Sequence, residues 1–233
     1  MSLFKETVID CPSCARSLSF ETVHSLNADR RPDLRAAILD SRFQRTTCPH
    51  CGAGFRLDTD FTVLDVKRGQ WIVAAPVAAI ADWEAHEAAA RAMFARAYGA
   101  EAPAIAREVG QRLKPRIVFG WPALREKLVV ADLGLDDIAL EAVKATTMRA
   151  SATIPGRAVA ELRLVAADKK DLLLAWQRSY DGLAGTVLSV PRALHDKVAA
   201  GSADDGWAVF RAGFEGALFV DLKRELIRPR RAA

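Results

Sequence analysis

Two short cysteine turns constrain this chain more than any other feature. Cys11-Pro12-Ser13-Cys14 and Cys48-Pro49-His50-Cys51 are CPxC motifs separated by 33 residues, and together they hold all four cysteines. A C-x2-C turn lets two sulfurs converge on one ion while backbone N–H groups inside the turn point at them. Proline fixes φ on entry, and Gly52 after the second motif can take the positive φ that closes the turn. Two such turns supply four thiolates in a tetrahedron, the donor set that suits Zn²⁺.

Other readings of the cysteines are weaker. Disulfides within each turn would staple little chain and are rare in a reducing compartment. Free core cysteines would not need a doubled spacing. Iron is the competing ion, because rubredoxin-like sites use similar paired turns with soft sulfur ligands. The metal ligands are therefore expected to be Cys11, Cys14, Cys48 and Cys51, with zinc first and iron second. His50 and His24 read as surface or outer residues. A closed four-thiolate site is structural, since a catalytic zinc keeps a position for water.

The rest of the chain must be large enough to need such a site yet able to fold around it. It has 233 residues, 51% hydrophobic and 27% charged, which excludes a disordered tail or a collagen-like repeat. The opening MSLFKETVID has no apolar core, and the run Trp71 to Ala81 is too short to span a membrane. The expectation is a cytoplasmic protein without an export signal or a membrane partner. The net charge is +4, and the stretch LKRELIRPRRAA alone carries that excess. Nucleic-acid contact, if any, is expected through this tail, because a folded nucleic-acid module shows a basic face throughout.

Periodicity sets out an α+β chain. Ser17 to Phe20, Thr22 to Val23, Phe55 to Val66 and Gln70 to Ala75 read as strands, and PDLRAAILD as a short helix opened by Pro32. Helices follow over Asp82 to Gly99, Ala102 to Leu113, Pro122 to Val130 and Asp136/Asp137 to Arg149, with a strand at Arg116 to Phe119. After a polar hinge at Ser151 to Gly156, Glu161 to Ala167 and Asp171 to Gln177 form a hairpin pattern. Gly185 to Val190 and Ala217 to Lys223 are further strand candidates, and helices open at Pro191 and at Asp204 or Asp205. This divides the chain into a zinc-ribbon-like domain with a small antiparallel sheet (1–78), a helical segment (79–150) and a small α+β block with a basic tail (151–233).

No catalytic residue is assigned. His86-Glu87 lacks the second histidine of a zinc protease, since position 90 is alanine. His195-Asp196 has no nucleophile beside it and reads as a solvated helix face. Asp136 and Asp137 read as helix caps. Trp83, Trp121, Trp176 and Trp207 read as core anchors.

The paired CPxC turns, the string ILDSRF before the second turn, and the later R-I-V-F-G, L-R-E-K and G-L-D-D…K elements resemble the bacterial CpXC-domain proteins. The resemblance covers roughly residues 1–150, and Cys11, Cys14, Cys48 and Cys51 match the cysteines of that family. It implies bacterial origin and metal binding and supplies no catalytic residues. The first turn departs from the second by carrying Ala15 where Gly52 stands. Two functions remain open at this level: a non-enzymatic zinc-binding interaction or adaptor protein with an unknown protein partner, or a nucleic-acid-associated ribbon protein. An enzyme with a site in 151–233 is the third.

Overall fold

The computed structural model describes residues 2–150, 161–179, 182–201 and 205–227. Strands β1 (Leu3–Asp10) and β2 (Ser17–Asn27) form a long hairpin whose tip is the first CPxC turn. Helix α1 (Pro32–Leu39) begins at its proline, as expected from the fixed φ and missing N–H of that residue. Strands β3 (Arg45–Thr47) and β4 (Gly54–Arg56) make a second, shorter hairpin around the second CPxC turn.

The stretch expected as one strand from Phe55 to Val66 is divided. Residues 57–60 leave the ladder, and β5 (Phe61–Asp65) enters a different sheet from β4. The break is held by side chains: Trp121 Nε1 donates to the Leu57 carbonyl (3.1 Å), and the Val77 N–H donates to Asp58 (3.0 Å). β6 (Gln70–Ala75) and β7 (Lys114–Phe119) complete a five-stranded sheet of order β1-β2-β5-β6-β7, in which β2–β5 and β6–β7 pair in parallel. The sheet is therefore mixed rather than purely antiparallel. Between β6 and β7 run α2 (Trp83–Tyr98) and α3 (Ala104–Gln111).

Each face of this sheet has its own core. On one face Val23, Leu26, Ile38, Phe61 and Ile72 pack with Trp121 and Leu124 of α4 (Trp121–Asp132). On the other, Trp71, Ile117 and Phe119 pack with Trp83 and Ala90 of α2 and with Leu218 and Phe219. The alternation of β7 supplies both, since Val118 faces α4 while Ile117 and Phe119 face α2.

Helix α5 (Asp137–Ala150) precedes β8 (Glu161–Ala167), β9 (Asp171–Ser179) and β10 (Gly182–Pro191), an antiparallel sheet of order β10-β9-β8. Its apolar residues, Trp176 among them, pack on Val130 of α4 and on Leu140 and Val143 of α5. Helices α6 (Arg192–Ala199) and α7 (Asp205–Ala212) lie against α5, where Val198, Trp207 and Phe210 meet Ala139 and Ala142. The hinge expected at Ser151 to Gly156 lies outside the described residues.

One expected strand is corrected. Ala217 to Asp221 form no ladder, and a short helix, α8 (Lys223–Leu226), follows. Their polar backbone atoms are bound mainly by charged side chains. The run is buried at every position from Ala217 to Asp221, but without sheet pairing.

Candidate metal centre

The two hairpin tips are built alike. In the first, Cys11 N–H donates to the Arg16 carbonyl (3.0 Å) and Ala15 N–H to the Cys11 carbonyl (2.8 Å). In the second, Cys48 N–H donates to Ala53 (2.9 Å) and Gly52 N–H to Cys48 (2.9 Å). The equivalent positions Ala15 and Gly52 both have positive φ, 54° and 72°. Alanine thus takes up the left-handed conformation that glycine would adopt at no steric cost.

These turns bring all four sulfurs together. The Sγ atoms of Cys11, Cys14, Cys48 and Cys51 lie within 4.8 Å of one another. Cys11 and Cys51 are 3.7 Å apart, and Cys14 and Cys48 are 3.8 Å apart. Both distances far exceed the roughly 2.05 Å of a disulfide. A tetrahedron with metal–sulfur bonds of about 2.3 Å has edges of about 3.8 Å, so the residues fit a four-thiolate metal ion.

Electrostatics point the same way. Burial raises the Cys11 thiol, but N–H groups of Cys14 and Ser13 directed at its sulfur, the latter at 3.4 Å, bring it down to about 6. At Cys14 the Arg16 N–H favours the thiolate, while burial and the three neighbouring sulfurs oppose it and push it up to about 12. Cys51 is also pushed up. Four sulfurs at this spacing cannot all ionise unless a cation lies among them. Cys11 and Cys48 are buried, Cys14 is half-buried and Cys51 is exposed, so the cluster sits at the edge of the fold beside Ile9, Leu18 and Phe55.

The other candidate residues sit elsewhere. His50 and His24 are exposed and lie outside the cluster, with His24 3.2 Å from Thr22 Oγ1. Asp136 accepts the Ala139 N–H (2.8 Å), as a cap does. Asp137 instead binds Lys114, Arg116 and Lys127 in the interior. His195 is corrected from a solvated face to a buried residue: its Nε2 lies 3.1 Å from the backbone of Asp136, and its Nδ1 lies 3.0 Å from Asp196. Glu87 is buried as well and accepts the N–H groups of Leu218 and Phe219 (3.0 and 3.4 Å).

Sequence reading missed a charged interior. Lys144 donates to Glu126 (3.0 Å) and Glu141 (2.7 Å), and Arg163 joins Glu126 (2.8 Å) to Asp221 (2.7 Å), all five being buried. The remaining oxygens accept backbone N–H groups of Leu164, Leu222 and Lys223. Every carboxylate oxygen of Glu126, Glu141 and Asp221 is therefore engaged. A second group joins Arg35 to Asp65 (3.0 Å) and Asp132 (2.9 Å). The available signal was the spacing of Asp137, Glu141 and Lys144, which share one helical face with buried Leu140.

Comparison with known proteins gives one match. A family model described as CpXC protein covers residues 9–144, from just before the first cysteine to Lys144. No curated protein and no solved structure matches. No helix among the described residues is long and apolar enough to cross a membrane.

Proposed function

We infer that this chain, which belongs to the CpXC family, is a non-enzymatic interaction protein whose four cysteine thiolates hold a structural zinc ion. The observation that carries the reading is the convergence of four sulfurs from two hairpin tips at near-tetrahedral edge lengths. Zinc is favoured over iron because tetrahedral thiolate sites are its commonest structural use, and a cytoplasmic, reducing setting keeps the thiols available. Four protein ligands leave no position for water or substrate, so the ion would serve the fold. The carboxylate clusters support the same view, since their oxygens are committed to cations and backbone N–H groups inside the protein.

Elemental analysis of protein purified without added metal tests the metal assignment. One zinc per chain is expected, while stoichiometric iron, or no metal at all, overturns it. Capture of a protein partner from the native host tests the interaction role, and failure to recover any counts against it.

The Arg-rich C-terminal sequence favours a second reading, contact with nucleic acid. Arg228, Arg230 and Arg231 belong to it and lie outside the described residues. Four thiolates with one Zn²⁺ contribute −2, which lowers the holo chain from +4 to about +2 and makes the metal-bearing tips poor phosphate-binding surfaces. Salt-dependent binding lost on deletion of residues 223–233 is the result this reading requires.

A further inference from the structure

Residues 216–222 lie in the fold as a bound peptide lies in a groove. They form neither helix nor strand from 217 to 221, yet most of their polar backbone atoms meet a partner. Arg91 donates to the Gly216 carbonyl (2.8 Å), Arg116 to Ala217 (3.2 Å) and Lys127 to Val220 (2.8 Å). Glu87 accepts the N–H groups of Leu218 and Phe219, and Glu141 accepts that of Leu222 (3.0 Å). The Leu218 carbonyl accepts from Ile117 N–H at 3.0 Å.

The side chains are read as well. Phe219 meets Phe119 edge-on and Trp83 at a tilt, with ring centroids 4.9 and 5.6 Å away. Leu218 enters the same cluster, Val220 packs towards Phe214 and Ile138, and Asp221 meets Arg163. Buried charges that bind backbone atoms are costly to keep unless the segment is present to satisfy them. The side chains that bind this backbone, from Glu87 to Glu141, fall within the stretch matched by the CpXC family, whereas the bound segment lies beyond it.

We propose that the groove between α2, β7, α4 and α5 is a peptide-recognition site of this domain, filled here by the chain's own residues 216–222. The same site would accept from a partner protein a linear segment of matching chemistry: a small residue, Leu, an aromatic, a β-branched residue and a carboxylate. Backbone contacts would give affinity, and the Leu218, Phe219 and Asp221 positions would give selectivity. This deepens the interaction reading and rests on it.

The test uses the full chain with a specific protease site placed within residues 202–204, between α6 and α7. After cleavage, a fluorescent peptide with the sequence of residues 213–225 should bind saturably by anisotropy and be displaced by unlabelled peptide. The same peptide with Phe219→Ala should bind at least about tenfold more weakly. Uncleaved protein should bind the peptide much more weakly, because the tethered segment competes at an effective concentration of roughly millimolar order. Uncleaved chain carrying Leu218→Ala and Phe219→Ala in its own segment should bind the peptide more tightly than the unaltered chain does. Absence of peptide binding to both altered proteins, or collapse of both, overturns the proposal and makes the segment ordinary core. Peptide binding with no partner captured from the host would sink the adaptor role and leave the groove standing.

Discussion

Replacing Lys144 with methionine probes the charged interior directly. The ammonium is 2% exposed and lies 3.0 Å from Glu126 and 2.7 Å from Glu141. Methionine fills much of the same volume, so the packing loss is small and the electrostatic loss dominates. Glu126 and Asp221 would then keep Arg163, while Glu141 would keep only the Leu222 N–H. Removing one partner of a buried pair costs about 3–5 kcal/mol, a large share of the roughly 5–15 kcal/mol of a typical domain.

The pH dependence makes this test sharper. Burial, with Asp221 and Glu126 beside it, already raises Glu141 to about 7 against the attraction of Lys144. Loss of Lys144 must raise it further. An acid whose folded pKa exceeds its unfolded value binds a proton on folding, so stability rises as pH falls from the folded pKa towards the unfolded one. The unaltered chain gains through Glu141 over the same window, so the deficit of Lys144→Met should shrink by a smaller amount, up to about 0.9 kcal/mol, between pH 7.5 and pH 5.5. Urea unfolding followed by tryptophan fluorescence reads both quantities. Adding Glu141→Gln, which keeps an acceptor for Leu222 N–H, should restore much of the loss at pH 7.5. A cost below about 1 kcal/mol at pH 7.5, or a deficit that does not change with pH, would refute the reasoning.

Three further outcomes are expected. Cys48→Ser should abolish stoichiometric metal and open both hairpin tips to proteolysis, while residues 61–132 stay protected because their core includes Trp121 and Leu124; retained metal with full protease resistance would end the four-ligand assignment. Ala15→Gly should stabilise the holo protein by about 0.5 kcal/mol, since relief of the left-handed Cβ strain exceeds the extra chain entropy of glycine, and a lower unfolding midpoint would contradict it. The unaltered chain should gain stability from pH 7.5 to pH 5.5 through Glu141, whereas Asp221, lowered to about 2 because Arg163 and Lys144 outweigh its burial, keeps its contribution until the pH falls below 3.8; an unfolding midpoint with the same pH slope in Glu141→Gln would assign that gain to other groups.

The sequence by itself determined the four-cysteine cluster and the main helices, whereas strands β1 and β3 and the division of β4 from β5 emerge only in the fold. The CPxC spacing is local chemistry, in which two residues fix each turn and no distant contact is needed to read it. Helix starts at Pro32 and the strand at Arg116 to Phe119 were legible for the same reason. Tertiary structure alone decided where the charges went. Asp137 and Lys144 look like solvated positions in one dimension, because helical periodicity marks a face without saying what covers it. Arg116 reaches Asp137 from 21 residues away, Glu126 reaches Lys144 from 18, and the Leu222 N–H reaches Glu141 from 81 residues away in sequence, while Arg163 ties Glu126 to Asp221. Ala217 to Leu222 show the same limit: the run reads as a strand, yet side chains of α2, β7, α4 and α5 hold much of its backbone. Pairing over such distances depends on the whole fold closing at once, and no window of sequence contains it.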